Sequence, residues 1–329
     1  MLKNMPKKLA VACFFISTGL FVSCTKSSVG GDMLVASHQN TDTVSVPAAP
    51  ASGSSSSGST TPPPSGSSTP PNNSTPPPPP PNNNSTSGTS AYSPSASWGN
   101  RADGPYTLNQ AMQDFKTPIS GWDQNRMQIV GGKLRTTLLA NVVGPAGGLV
   151  SWIDIQDGSE YQLQFDMMFD NNFDFSAGGK VGFGFLLGDG FTGGVPGTNG
   201  NGGSARVMWY RSGGRNYLKP YLYYKDQPGQ YGNDFGKTYP ASGSIAKGVW
   251  HTVKIYVKSN NGSNNDGRIK MTINGTTLLD QNIRWSTNDA KRLINRICFE
   301  TFRGGADASW TSPTDGQIYF DNVSWVSLP

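Results

Sequence analysis

The residues best placed to do chemistry lie between positions 180 and 225. Six basic side chains fall there, Lys180, Arg206, Arg211, Arg215, Lys219 and Lys225, against the single acid Asp189. From position 97 onward the chain carries 22 Lys/Arg and 19 Asp/Glu, so this cluster is a local positive field on a nearly balanced background. A field of that sign concentrates anionic ligands. Alternation sharpens the reading, because successive residues of a strand point to opposite faces. In the run Lys180–Phe185 the apolar Val181, Phe183 and Phe185 share one face, and Lys180, Gly182 and Gly184 share the other. Ser204 and Arg206 share a face, as do Lys219, Tyr221, Tyr223 and Lys225. Glycine inside a strand costs stability and often marks a place where a ligand nears the backbone. Three strands therefore offer a lysine, a serine, an arginine and two tyrosines on polar faces. Cations meet carboxylates and tyrosine rings stack on sugars, so the spacing predicts a groove for an acidic sugar chain.

Other chemistry is sparse. Two histidines in 329 residues argue against zinc catalysis and serine–histidine chemistry, and three cysteines cannot build a disulfide scaffold. His251 opens the alternating run Trp250–Lys258 and reads as a structural histidine at a strand start. Cys298, between apolar neighbours, reads as a buried thiol. Asp166, Asp170 and Asp174 have the look of a calcium loop, but turn and strand-edge positions account for them equally well. The only glutamates, Glu160 and Glu300, are far apart, which disfavours the flanking carboxyl pair of a glycoside hydrolase.

The elements that must position these groups read as all-β. Short alternating runs recur between Gly, Asn and Asp at 133–140, 161–169, 180–187, 205–211, 217–224, 251–258, 268–279, 296–302 and 317–326. Asn274-Gly275 is a two-residue hairpin signal. Val253, Ile255 and Val257 should face the core, and no segment shows helical periodicity. The expectation is a two-sheet antiparallel β-jelly-roll sandwich, concanavalin A-like, over 97–329.

The first 96 residues carry a different message. Lys3, Lys7 and Lys8 precede the apolar run Leu9–Val22, which ends at Ser23-Cys24. That pattern, too short for a stable membrane span, resembles a bacterial lipoprotein signal over 1–24, with Cys24 lipidated after cleavage. The residue after it is Thr25 rather than Asp, which favours the outer membrane over inner-membrane retention. Between 41 and 94 fall 14 of the 24 prolines, among Ser, Thr, Gly and Asn, with Asp42 the one charge. Such a composition cannot offset the entropy of folding, so 25–96 reads as a disordered linker. The chain is thus expected to be exported, lipid-anchored to the cell envelope and monomeric.

Several motifs in order carry a family resemblance. Phe173-Asp-Phe-Ser-Ala-Gly-Gly-Lys180, Ser204-Ala-Arg-Val-Met-Trp209, Tyr221-Leu-Tyr223 and Asp226-Gln-Pro-Gly-Gln-Tyr-Gly232 resemble the family-14 polysaccharide lyases. Gly248-Val-Trp-His-Thr-Val253, Asp266-Gly-Arg-Ile269, Thr301-Phe-Arg-Gly-Gly305 and Phe320-Asp-Asn-Val323 continue the match. The segment after Lys180, Val181-Gly-Phe-Gly184, departs from the family's usual Leu-Pro-Gly-Leu, and no histidine lies near Ser204.

The resemblance implies a jelly roll that cleaves a uronate polymer such as alginate or glucuronan by β-elimination, without cofactor, metal or nucleic acid. It implies catalytic roles for Lys180, Arg206, Tyr221 and Tyr223 and a substrate contact from Ser204; Lys219 and Lys225, on the same polar face, and Gln227 are further candidates for substrate contact. Elimination removes the C5 proton alpha to the uronate carboxylate. Arg206 would neutralise that carboxylate bidentately, with Lys180 adding charge. Tyr223, its pKa lowered by nearby cations, would serve as base or acid, with Tyr221 sharing that role. The rival expectation is a non-catalytic carbohydrate-binding surface lipoprotein using the same groove.

Overall fold

The structure, a computed structural model, describes residues 94–329. The expected signal over 1–24, its Cys24 and all but the last three residues of the expected linker lie outside the described residues. In chain order the strands are β1 (Ser95–Ala96), β2 (Gly104–Pro105), β3 (Ile119–Ser120), β4 (Met127–Val130), β5 (Lys133–Leu138), β6 (Leu149–Gly158), β7 (Glu160–Phe169) and β8 (Gly178–Lys180). There follow β9 (Phe183–Gly188), β10 (Gly202–Ser212), β11 (Arg215–Tyr223), β12 (His251–Lys258), β13 (Gly267–Ile273), β14 (Thr276–Ile283), β15 (Ile294–Arg303) and β16 (Gly316–Ser327).

They form two antiparallel sheets, as the alternation predicts. One runs β14-β13-β12-β7-β16-β5-β4-β2, with β1 added against β16; the other runs β11-β10-β8-β15-β6-β3, with β9 between β10 and β15. Between the sheets lies one core. Val253, Ile255 and Val257 from one sheet and Val181, Phe183, Phe185, Val207 and Trp209 from the other are all buried there. Phe183 stacks on Phe299 at 4.1 Å, and Phe320 meets Phe299 edge-on at 5.1 Å. The Asn274-Gly275 turn joins β13 to β14 with φ of 49° and 78°, the left-handed pair that a tight hairpin needs.

Three expectations change. The nine-stranded sheet takes in residues before position 97, because Ser95 and Ala96 already pair with Ser324 and Val323 of β16. A helix, α1 (Leu108–Phe115), is present where no helix was expected. Its capping box joins Thr107 and Gln110, and Ala111 and Phe115 lie on its buried side, four residues apart. Third, Gly182 does not share the face of Lys180. It has φ of 81°, and a Cβ placed there would lie 2.5 Å from the Phe165 ring in the core. The chain kinks at that residue, separating β8 from β9.

Candidate functional site

The outer face of the seven-stranded sheet gathers most of the residues singled out by sequence. Register sets the positions: Ser204 lies opposite Tyr223, Arg206 opposite Tyr221, and Met208 opposite both Lys219 on β11 and Lys180 on β8. The intervening Ala205, Val207, Leu218 and Leu222 point into the core. Period-two alternation on three neighbouring strands is therefore enough to bring Lys180, Ser204, Arg206, Lys219, Tyr221 and Tyr223 to one surface.

Arg206 and Glu300 form a buried ion pair at the floor of this surface, Nη1 to Oε2 at 2.6 Å. Burial works against the guanidinium charge, but Glu300, with smaller help from its other neighbours, more than offsets that cost and keeps the arginine protonated. Arg206 Nε and Nη2 are buried without a partner among the described residues. Gly184 makes the geometry possible. A Cβ there would sit 2.4 Å from the Ala205 carbonyl and 3.0 Å from Arg206 Cγ, so only a bare backbone lets the arginine lie across β9 toward β15.

The Lys180 ammonium stands over the Tyr221 ring, 4.2 Å from its centroid, and over the Phe302 ring at 5.6 Å. Burial, then the charge of Arg206, pulls its pKa from 10.5 down to about 7; Glu300 resists that fall. Arg206 is 5.3 Å from the centroids of both tyrosine rings. The two phenols approach each other at 3.5 Å. Burial, then the bond to Tyr223, pushes the Tyr221 pKa upward. The expectation of a tyrosine acidified by neighbouring cations therefore fails at Tyr221, since desolvation outweighs the arginine's attraction.

A loop closes over one end of the face. The Gly194 N–H donates to the Tyr223 hydroxyl at 2.9 Å, and the Ser204 hydroxyl donates to the Phe191 carbonyl at 2.7 Å. Lys219 pairs with Asp234 at 3.1 Å and caps the Tyr210 ring at 4.1 Å. Two residues are placed elsewhere. Lys225 lies beyond the end of β11, its ammonium bonded to the Thr198 carbonyl. Gln227 is buried as a loop brace: its carbonyl accepts from the Gly197 and Tyr224 N–H groups, and its amide donates to the Gly229 and Tyr231 carbonyls. Neither side chain joins the others.

Glu300 was missed by the sequence reading. The only signal was an acid two residues from Cys298 on an alternating strand, too little to link it to an arginine 94 residues away. Cys298 is buried, but it lies on the side of the sheet that carries the site rather than in the core cluster, and burial pushes its thiol pKa up, so it stays a thiol. His251 lies in the other sheet, buried near Asn274. Asp166, Asp170 and Asp174 accept from separate partners, namely Thr252 and Asn322, the Asn172 N–H, and the Ser176 N–H.

A β-sandwich whose open face sets a low-pKa lysine and a paired arginine against two tyrosines defines a class of carbohydrate-active protein that handles acidic chains. The sequence model of the family polysaccharide lyase 14 matches residues 144–323, and the chain belongs to that family. The alginate lyase Aly36B is similar to this chain at 54% identity, covering 72% of this chain and 97% of its own, with a TM-score of 0.70. A lysine-and-tyrosine double-alanine form of that lyase, in complex with an alginate tetrasaccharide, gives 53% identity and a TM-score of 0.71, covering 72% of this chain and 97% of its own. The marine family-14 alginate lyase from Aplysia kurodai shares the fold at 20% identity and a TM-score of 0.56, covering 73% of this chain and 100% of its own. Exolysin of Paramecium bursaria Chlorella virus 1 is 31% identical over 167 residues, 44% of this chain. The match spans 25% of that curated relative's length.

Proposed function

We propose that the chain is a polysaccharide lyase that cleaves alginate, or a closely related uronate polymer, by β-elimination. The observation that carries this reading is the Lys180 amine, held near neutral pKa beside the unpaired edge of Arg206 and the two phenols. The uronate carboxylate takes the free Nε and Nη2 donors of Arg206, which stabilise charge as it builds on the carboxylate. Lys180 in its neutral form removes the C5 proton. The electron pair left at C5 forms the C4–C5 double bond as the C4–O bond breaks. A neutral tyrosine suits protonation of the departing oxygen, and Tyr221 and Tyr223 are the phenols at hand. The expectation from sequence gave base or acid to Tyr223; in this reading the base is Lys180, whose amine burial brings near neutral pKa, and the tyrosines keep the acid role.

Ser204 and Lys219 line the face without taking part in the proton transfers. The test is to incubate the described domain with alginate, polymannuronate, polyguluronate and glucuronan and to follow ultraviolet absorbance of unsaturated product. Absorbance with none of these polymers overturns the reading. Export with lipidation at Cys24 belongs to the same proposal, supported by the basic and apolar run before that cysteine. Labelled palmitate should enter the full chain and not Cys24→Ala; equal labelling would refute the anchor.

A further inference from the structure

The outer face of the seven-stranded sheet does not end at Arg206. Along the same row, Gly184 of β9 lies opposite Cys298 of β15, and Cys298 lies opposite Trp152 of β6. Leu149, Ser151 and Ile153 turn inward, so Trp152 points outward, on the same side as Arg206. It is 37% exposed, one of four large apolar side chains left open to solvent among the described residues. Between it and the site the row holds a glycine and a cysteine, small groups that raise no wall across the sheet.

One row away, Arg296 lies between Leu186 of β9 and Asp154 of β6. No ion pair closes between Arg296 and Asp154. The guanidinium instead donates over 3.3 and 3.4 Å to the Gly188 and Asp189 carbonyls, at the base of the loop that reaches Tyr223, and over 3.4 Å to the Asn295 side-chain oxygen. Three inter-strand steps separate Arg206 from Trp152, roughly 14 Å at the usual spacing between strands. That is too far for one sugar ring to touch both.

We propose that Trp152 and Arg296 form a distal subsite that stacks and holds a uronate residue of the same polymer chain several sugars away from the cleavage point. This rests on the lyase reading above and deepens it. Aromatic rings gain by stacking on the apolar faces of sugars, and an arginine held by neutral acceptors, with no ion pair among the described residues, favours a polyanion over a neutral glycan. An open row extending well past the reacting residue fits a chain that enters along the sheet, and so fits cleavage within the polymer rather than at its end.

The experiment compares wild type, Trp152→Ala and Trp152→Phe on polymeric alginate and on an alginate trisaccharide. The expected result is a rise in KM for the polymer of roughly tenfold in Trp152→Ala, with kcat retained and trisaccharide kinetics unchanged. Trp152→Phe should recover most of the loss, which a merely damaged fold would not. Unchanged polymer KM overturns the subsite, and so does an equal loss on both substrates. A wild type that cleaves neither substrate fails the lyase reading itself, a result distinct from either of these.

Discussion

Both sheets bury charge on their outer faces, and they do it differently. On the nine-stranded sheet Asp166 and Asp321 are register partners, and Lys133 reaches Asp321 at 2.6 Å. Asp166 accepts from the Thr252 hydroxyl at 2.6 Å and from the Asn322 amide at 2.8 Å. Its pKa is raised, chiefly by burial, so the protein tolerates this acid by wrapping it in donors. On the seven-stranded sheet Glu300 balances only one of two cations. Arg206 keeps two nitrogens unpartnered, and Lys180 has no carboxylate within ion-pair distance among the described residues. An excess of cation over anion, with two donors left unpartnered, is what an anionic substrate completes. The acidic cluster also leaves one buried atom unpartnered, Asp321 Oδ1, but its excess is of anion over cation, and its other bonds tie neighbouring strands together as a structural network.

Three substitutions would break or sharpen that contrast. Lys180→Ala should have the largest effect, lowering kcat by roughly 10²–10⁴-fold while the domain keeps its melting temperature, because a proton-transfer group is lost without unpairing a buried ion. Turnover close to wild type would remove lysine from the mechanism. Lys133→Met should do the reverse. It leaves Asp321 uncompensated and should cost up to about 3 kcal/mol, read by denaturant unfolding, with kcat per folded molecule unchanged. If its activity falls as steeply as that of Lys180→Ala, the division between a working and a structural face is wrong.

Glu300→Gln gives the most specific change in the rate profile, alongside the stability cost of unpairing the buried Arg206. Wild-type kcat/KM should climb as pH rises through about 7, where Lys180 loses its proton and becomes a base. Glu300 favours the protonated form of Lys180, so its removal should move this limb to lower pH. A limb that stays in place, or moves upward, would separate Glu300 from the lysine. The same shift carries a stability sign. The unfolded lysine holds its proton up to its ordinary 10.5 and the folded one only to about 7, so folding should become more favourable as pH rises across that window.

Much of the fold was legible because local chemistry and burial agree. The β12 alternation predicts its own core face, and Asn274-Gly275 predicts its own turn. β6 was missed since its outward positions include Trp152, whose apolar ring blurs the in–out pattern. α1 was missed for a different reason. It is short, and its capping box at Thr107 and Gln110 carries more of the signal than its periodicity does. Within the site, Lys180, Ser204, Arg206, Tyr221 and Tyr223 could be grouped because side chains two apart on paired strands must share a face. What alternation cannot supply is contact between distant segments. The reach of Arg206 to Glu300, the Gly194 amide on Tyr223 and the folding-in of Gln227 all depend on loops or on strand order.

The short strand β1 has a mechanical consequence. Ser95 and Ala96 pair with Ser324 and Val323, and the Trp325 N–H donates to the Pro94 carbonyl at 3.2 Å, so the chain joins the sheet through very few hydrogen bonds. Force arriving through residue 94 along the strand would load those bonds together, in shear. Force arriving across the strand would open them one at a time. In either direction β1 should detach well before any strand of the seven-stranded sheet is strained. Under such a load the short pairing would act as a fuse, giving way while the face that holds Lys180 and Arg206 keeps its geometry.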